Sequence, residues 1–192
     1  MSNPPMEFYS PERWQNWIDR IDAEEIDPED ESSARLLLNL QDDTAIAVAK
    51  IVSAYDEGTL DEETALEKLE GVRDIVLAEV DIEDEEKLLL IDGVQTSLVC
   101  VFLAAEEYVI SGPAPDGTVE DYIRAAADAE AEEDLDAALG YAAQAGTLII
   151  DGNELDIGLA EELEYGLVTE WINGLDSLQS AMSDPEVVEE DE

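Results

Sequence analysis

The chain has 192 residues, of which 52 are Asp or Glu and only eight are Lys or Arg, giving a formal net charge of −44 at pH 7. Hydrophobic residues still make up 45% of the sequence, so the chain can build a core that an acidic disordered tail could not. Nucleic acids and anionic membranes are bound through clustered cations, so the composition argues against both kinds of partner.

The acidity predicts a cytoplasmic protein of a cell with very high internal salt. At molar ionic strength the Debye length is roughly 3 Å, so neighbouring carboxylates scarcely repel one another and can hold hydrated cations such as potassium at the surface. Residues 1–5 contain neither the basic nor the apolar stretch of a signal peptide. Cys100 is the only cysteine, and its apolar neighbours predict a buried thiol.

Ser10 and Pro11 predict the start of a first helix, because serine is a favoured N-cap and proline a favoured first helical residue. Four aromatic residues gather around this start: Phe8, Tyr9, Trp14 and Trp17. Tryptophan is enriched at interface hot spots, so these residues are a candidate partner-binding site. They can also form the N-terminal lid of the chain's own core. We favour the lid, and both interpretations stay open.

Three further helices are predicted before residue 111. The second spans about residues 32 to 57 and the fourth about 84 to 110, and both are apolar on nearly every side, which places them at the centre of a bundle. Thr59, followed three residues later by Glu62, matches a capping box and predicts a third helix that ends near Val80. The positions expected to be inaccessible to solvent are Val48, Val52, Leu98 and Cys100.

The segment 111–117 contains two prolines and two glycines and is the best candidate for a boundary within the chain. After it, Thr118 predicts the N-cap of a helical hairpin whose second helix spans about residues 135 to 145. Residues 148–150 fit either a short extended piece or the end of that helix. A last long helix is predicted from about 154 to 182, and the acidic residues 184–192 are expected to be disordered.

These elements predict an all-α fold. We expect a compact bundle of about six to seven helices, with the hairpin and the long helix at its C-terminal side. Residues 1–183 are expected to form a single helical domain.

The sequence lacks most of the residues and motifs that form catalytic or metal-binding sites. The sequence has no histidine and one cysteine, which removes histidine triads and histidine or cysteine metal sites within one chain. It also lacks the glycine-rich loops that hold phosphates. Carboxylate pairs remain, such as Glu67 with Glu70 and Glu83 with Glu86, but in a chain this acidic such spacings arise by chance. We therefore expect no catalytic residue, no cofactor and no metal site, and no enzymatic activity.

Two stretches carry a resemblance to a known family: residues 7–18, with the aromatic cluster, and residues 34–43, with the sequence ARLLLNLQDD. They resemble a haloarchaeal family of uncharacterised proteins of about this length, and the resemblance extends over most of the chain. It supports the high-salt habitat, and it brings no activity with it.

The function that fits these expectations best is a non-catalytic interaction protein, an adaptor or regulator that binds another protein or a second copy of itself. One alternative is a small metal-dependent hydrolase that acts on nucleotides through helix-borne carboxylates. Another is an inhibitor that mimics nucleic acid and occupies the DNA groove of a basic partner, which would require acids spaced like phosphates along one face.

Overall fold

The structure is a computed structural model that describes residues 9–27 and 29–183. Within these residues every regular element is a helix, so the all-α prediction is confirmed, with eight helices rather than six or seven. The helices are α1 Pro11–Ala23, α2 Glu31–Asp56, α3 Glu62–Val76, α4 Glu85–Ser111, α5 Val119–Ala131, α6 Leu135–Ile150, α7 Gly158–Glu162 and α8 Leu167–Ser183. The prediction for residues 184–192 lies outside the described residues.

Helix α4 is the centre of the bundle, because it packs against α2, α3, α6 and α8. Helix α8 lies against α2, α4, α5 and α6, so these long helices enclose one another. Val48, Val52, Leu98 and Cys100 have no exposed surface, which confirms the predicted core. Burial raises the pKa of the Cys100 thiol well above its usual range, so this thiol stays protonated.

Helix α4 is also the one described helix that is long and apolar enough to cross a membrane, judged by length and composition alone. About half of its most apolar stretch is buried inside the protein. The central helix of a bundle has the same length and composition, so this finding is weak evidence for a membrane span.

The helix starts follow the predicted capping chemistry with one exception. Ser10 accepts a hydrogen bond from the backbone N–H of Arg13, and Thr118 forms a complete capping box with Asp121. The predicted box at Thr59 is wrong: α3 is capped by Asp61, which accepts from the N–H of Thr64 at 2.8 Å. The N–H of Thr59 instead donates to the carbonyl of Ala54 at the end of α2, so it is not available for a cap.

The C-terminal side differs from the prediction because the expected long helix is divided. Residues 148–150 form the end of α6, and the chain then makes the short α7 before α8 begins at Leu167. The carboxylate of Glu130 on α5 accepts from the N–H groups of Leu167 and Val168, at 2.6 and 3.3 Å. Glu130 thus supplies the N-terminal cap of α8 from another helix, and a helix cannot run continuously through this point.

The segment predicted as a candidate boundary connects α4 to α5. Ala114 within it donates its N–H to the hydroxyl of Thr147 on α6 at 3.0 Å. Beyond this segment, α6 and α8 both pack on α4. The division of the chain into one domain and a tail stays a prediction.

Candidate functional site

The aromatic residues around α1 are placed mainly against the chain's own core. Tyr9 and Trp14 are buried, Trp17 is half-buried, and Phe8 lies outside the described residues. Helix α1 packs against α3, and its apolar side is completed by Ile18 and Ile21, both buried. This arrangement has the features of a lid, while the edge of Trp14 still reaches a surface groove described below.

A single buried carboxylate holds α1 on α2. The side chain of Asp43 is only 1% exposed and forms two hydrogen bonds with the guanidinium of Arg13, one of them to Nε at 2.7 Å. It also accepts from the indole Nε1 of Trp17 at 3.0 Å. Three charge-assisted donor contacts satisfy a carboxylate that would otherwise be costly to bury.

Tyr9 lies beside this cluster. Burial raises the pKa of its phenol, and the negative charge of Asp43 raises it further, so Tyr9 stays neutral. The hydroxyl of Thr44 is near enough to oppose the shift, but the Tyr9 hydroxyl has no partner of good hydrogen-bond geometry among the described residues. The cluster therefore serves to attach α1, and it offers no nucleophile or general base.

An open groove lies between the end of α3 and the first three turns of α4; we call it the α3–α4 groove. Its volume is about 650 Å³. Its apolar lining consists of Leu77, Ala78, Val80, Leu88, Leu89 and Ile91. Leu89 is 71% exposed, the most exposed of the large aliphatic residues described. A concave apolar surface of this kind is the usual form of a binding site.

The walls of the groove are fixed to each other. The side-chain amide of Gln95 on α4 donates to the carbonyl of Val76 at 2.8 Å and to that of Ala78 at 3.0 Å. These bonds tie the last turn of α3, and the segment after it, to α4. The lining includes three carboxylates, those of Glu79, Glu85 and Asp92, and no Lys or Arg among the described residues.

A smaller groove of about 270 Å³ shares residues 78–80 of its lining with the α3–α4 groove. It is formed by α1 and the end of α3, and its apolar lining includes Trp14, Ile18 and Ile75. One of the four predicted partner-binding residues therefore reaches the surface beside the α3–α4 groove. Sequence reasoning missed Leu89, because we expected α4 to be enclosed on nearly every side.

One family comparison gives a match. The sequence model of a family described as "Uncharacterized protein conserved in archaea (DUF2150)" matches residues 7–191. The chain belongs to this family. The resemblance predicted from residues 7–18 and 34–43 is thereby confirmed at the level of an archaeal family without an assigned activity. Comparison with curated proteins and with solved structures found no match.

In this member of the archaeal family, the carboxylate pairs singled out in the sequence lie on exposed surface. Glu67 and Glu70 are on α3, whereas Glu83 precedes α4 and Glu86 is in its first turn. Within the residues that the structure describes, no three Asp, Glu, Cys or His side chains are grouped so that they could hold a metal ion.

A second buried polar cluster is fully paired. Gln41 donates to the hydroxyl of Ser177 at 2.8 Å and to the carbonyl of Asn173, and it accepts from the hydroxyl of Ser97 at 2.7 Å. These bonds join α2, α4 and α8 in the core. The cluster has a structural role, since each polar group of Gln41 has its partner inside the protein.

Proposed function

We propose that this protein is non-catalytic and binds a segment of another protein in the α3–α4 groove. The observation that supports this most is Leu89, which exposes 71% of its surface over an apolar groove. Leaving a leucine in water forgoes about 1.5 to 3 kcal/mol of burial free energy, which a partner can recover. Large apolar side chains in a concave patch are typical of protein-binding surfaces.

The rigidity of the groove also supports a binding role. Gln95 holds the two walls together before any partner arrives, so little conformational entropy is lost on binding. The neighbouring groove at Trp14 extends the apolar surface toward α1. An adaptor or regulatory role uses such a surface directly and needs no reactive group.

The proposal places this binding in a cytoplasm with molar salt. The support is the formal charge of −44, which in dilute buffer would oppose a compact state and at high ionic strength is screened. In molar salt, burial of apolar surface remains effective while charge attraction over long distances is lost. A partner site with an apolar floor suits that solvent.

No specific observation favours the two alternatives over this proposal. A metal-dependent hydrolase would use Glu67 with Glu70, or Glu83 with Glu86, but these carboxylates are exposed and, among the described residues, belong to no group of three that could hold a metal ion. A nucleic-acid mimic would present acids along one face, whereas the acids here occur on every helix.

The test compares two matched variants in molar KCl. Leu89→Ala removes the exposed side chain of the groove, and Ile110→Ala removes a 56% exposed side chain near the other end of the same helix. We would purify the proteins that bind wild type and the Ile110 variant but do not bind the Leu89 variant. Their affinities for all three would then be measured by direct titration. The proposal predicts about tenfold weaker binding for Leu89→Ala alone.

Two results would contradict the proposal. One is that every purified partner binds wild type and Leu89→Ala with the same affinity. The other is turnover of nucleoside triphosphates or phosphoesters with magnesium or manganese that disappears when Glu67 and Glu70, or Glu83 and Glu86, are replaced by Gln. That result would establish the hydrolase instead.

A further inference from the structure

We infer that the segment bound in the α3–α4 groove is an amphipathic helix whose polar positions carry Lys or Arg. This inference rests on the proposed function and specifies the chemistry of the partner. It is argued from the spacing of the groove residues on α4, from the charges at the groove and from the way this chain uses its own cations.

The groove has the dimensions of a helix-binding surface. On α4 its lining falls at residues 85, 88, 89, 91, 92 and 95. The steps from 85 to 88 or 89, from 88 to 91 or 92, and from 91 or 92 to 95 are three or four residues long, which marks one face of a helix. At 1.5 Å per residue this face is about 15 Å long, which corresponds to about three turns of a second helix. Apolar anchors at positions i, i+3, i+4 and i+7 of a partner would meet Leu88, Leu89 and the opposite wall at Val80.

The charges at the groove select the polar positions of that helix. Glu79 lies on the α3 side, and Glu85 and Asp92 lie on the α4 side, so carboxylates stand on both sides of the apolar floor. None of the three forms an ion pair in the described structure. The nearby Lys87 is directed elsewhere, since its Nζ donates to the carbonyl of Asp22 at 2.8 Å. Lys or Arg on the partner would pair with these carboxylates, whereas Asp or Glu would be repelled.

A second copy of this chain is a poor source of such a helix. The whole chain has eight cations. Six of them already have interactions within the chain: Arg13, Arg20, Lys50, Arg73, Lys87 and Arg124. Two copies would bring mainly carboxylates toward each other, so the complementary charges must come from a different protein.

The experiment uses three synthetic helical peptides that share the same leucine positions and carry Lys, Gln or Glu at all polar positions. Binding to the full chain is measured by calorimetry at the lowest KCl concentration at which circular dichroism shows full helicity, and again in molar KCl. The protein variants are Leu89→Ala, with Ile110→Ala as its control, and a groove triple of Glu79→Gln, Glu85→Gln and Asp92→Asn. The control triple replaces Glu62, Glu63 and Glu67 on α3 with Gln, so each triple removes three acids, at least one of them from the first turn of a helix.

The inference predicts that the Lys peptide binds at least tenfold more tightly than the Gln peptide at the lower salt concentration, and that the Glu peptide binds most weakly. Leu89→Ala should weaken the binding of the Lys peptide about tenfold. The groove triple should abolish the tighter binding of the Lys peptide over the Gln peptide. Ile110→Ala and the control triple should behave as wild type. The preference for Lys should shrink in molar KCl, because salt screens the ion pairs.

The outcomes separate this inference from the proposed function. If the Gln and Lys peptides bind equally and Leu89→Ala weakens both, the groove binds a polypeptide and the inference about its charge is overturned. If the control triple loses the preference for Lys as fully as the groove triple, the attraction belongs to the whole acidic surface and the inference is also overturned.

If sedimentation equilibrium shows a wild-type dimer that Leu89→Ala converts to monomer, the occupant is a second copy. If Leu89→Ala changes none of these measurements, the proposed function at this groove fails as well.

Discussion

Gly174 on α8 and Ser97 on α4 lie so close together that a Cβ added to the glycine would stand 2.0 Å from the backbone carbonyl oxygen of Ser97. The neighbouring hydroxyl of Ser97 donates to Gln41, which in turn donates to Ser177 on α8. The absence of a side chain at position 174 therefore sets the distance between α4 and α8, and the polar cluster in the core depends on that distance.

Gly174→Ala should destabilise the protein by about 1 to 3 kcal/mol or more, because the methyl group meets backbone and cannot be accommodated by a side-chain rotation. The measurement is urea unfolding in constant molar KCl. Gly140→Ala is the matched control, since a Cβ at this helical position meets nothing within 4 Å. It should stabilise the protein by about 0.5 to 1 kcal/mol. Equal effects of the two substitutions would contradict this account of the interface.

Substitution of Arg13 and substitution of Asp43 should lower the free energy of unfolding by different amounts, although the two residues form one ion pair. Arg13→Ala leaves the buried Asp43 carboxylate without its cation, with the Trp17 indole still donating to it, and should cost about 3 to 5 kcal/mol, unless α1 detaches first. Asp43→Asn should cost about 1 to 3 kcal/mol, because the guanidinium, already 43% exposed, can turn to water. Tryptophan fluorescence should shift to the red when α1 detaches.

The control for this pair is Glu24→Gln, which disrupts a surface ion pair with Arg20 between side chains that are both more than half exposed. Such pairs contribute at most about 1 kcal/mol, so this variant should unfold like wild type. A larger loss for Asp43→Asn than for Arg13→Ala would show that the buried charge is not what holds α1.

Folding should depend strongly on salt. With 44 net negative charges unscreened, self-repulsion should exceed the usual 5 to 15 kcal/mol of stability. Circular dichroism in molar KCl should show a helical protein with a cooperative melt, and dialysis to about 10 mM salt should abolish that melt. A full helical signal with an unchanged melting temperature in low salt would contradict both this prediction and the proposed habitat.

Mild acid should stabilise the protein through Asp42 and Asp176. Burial raises the pKa of both carboxyl groups, and the charge of Asp42 raises the pKa of Asp176 further. Between the ordinary value of 3.8 and the raised value, the folded state holds more protons than the unfolded state. The stabilisation is therefore fully present when the pH is below the ordinary pKa of these carboxyl groups. It is lost as the pH rises through their raised pKa in the folded state. Asp176→Asn should unfold at higher urea than wild type at neutral pH, with a weaker dependence on pH; a steeper dependence would refute this assignment.

Much of the helical architecture could be predicted because local signals coincide with it. The cap at Ser10, the capping box at Thr118 and the widely apolar character of α2 and α4 are readable within short stretches of sequence. The break before α8 was not readable, because its cause is Glu130, 37 residues earlier than Leu167. A contact between distant positions leaves no mark on helical periodicity.

The candidate site was predictable only in part. Trp14 was singled out by its residue type, and it does reach a groove, although most of its surface is covered by the core. Leu89 was not singled out, because it sits in a run of leucines whose pattern fits a helix enclosed on all sides. Its exposure results from where α3 ends, at Val76, and from the path of the following segment, which tertiary packing decides.

The cap that Glu130 gives to α8 links two parts of the molecule in their opening motions. The amide protons of Leu167 and Val168 are held by a side chain of α5, so their exchange with solvent reports the departure of α5 and not only the fraying of α8. Glu130→Gln should speed exchange at these two amides while leaving the middle of α8 protected. Two amides of one helix thus become a local probe for the undocking of another.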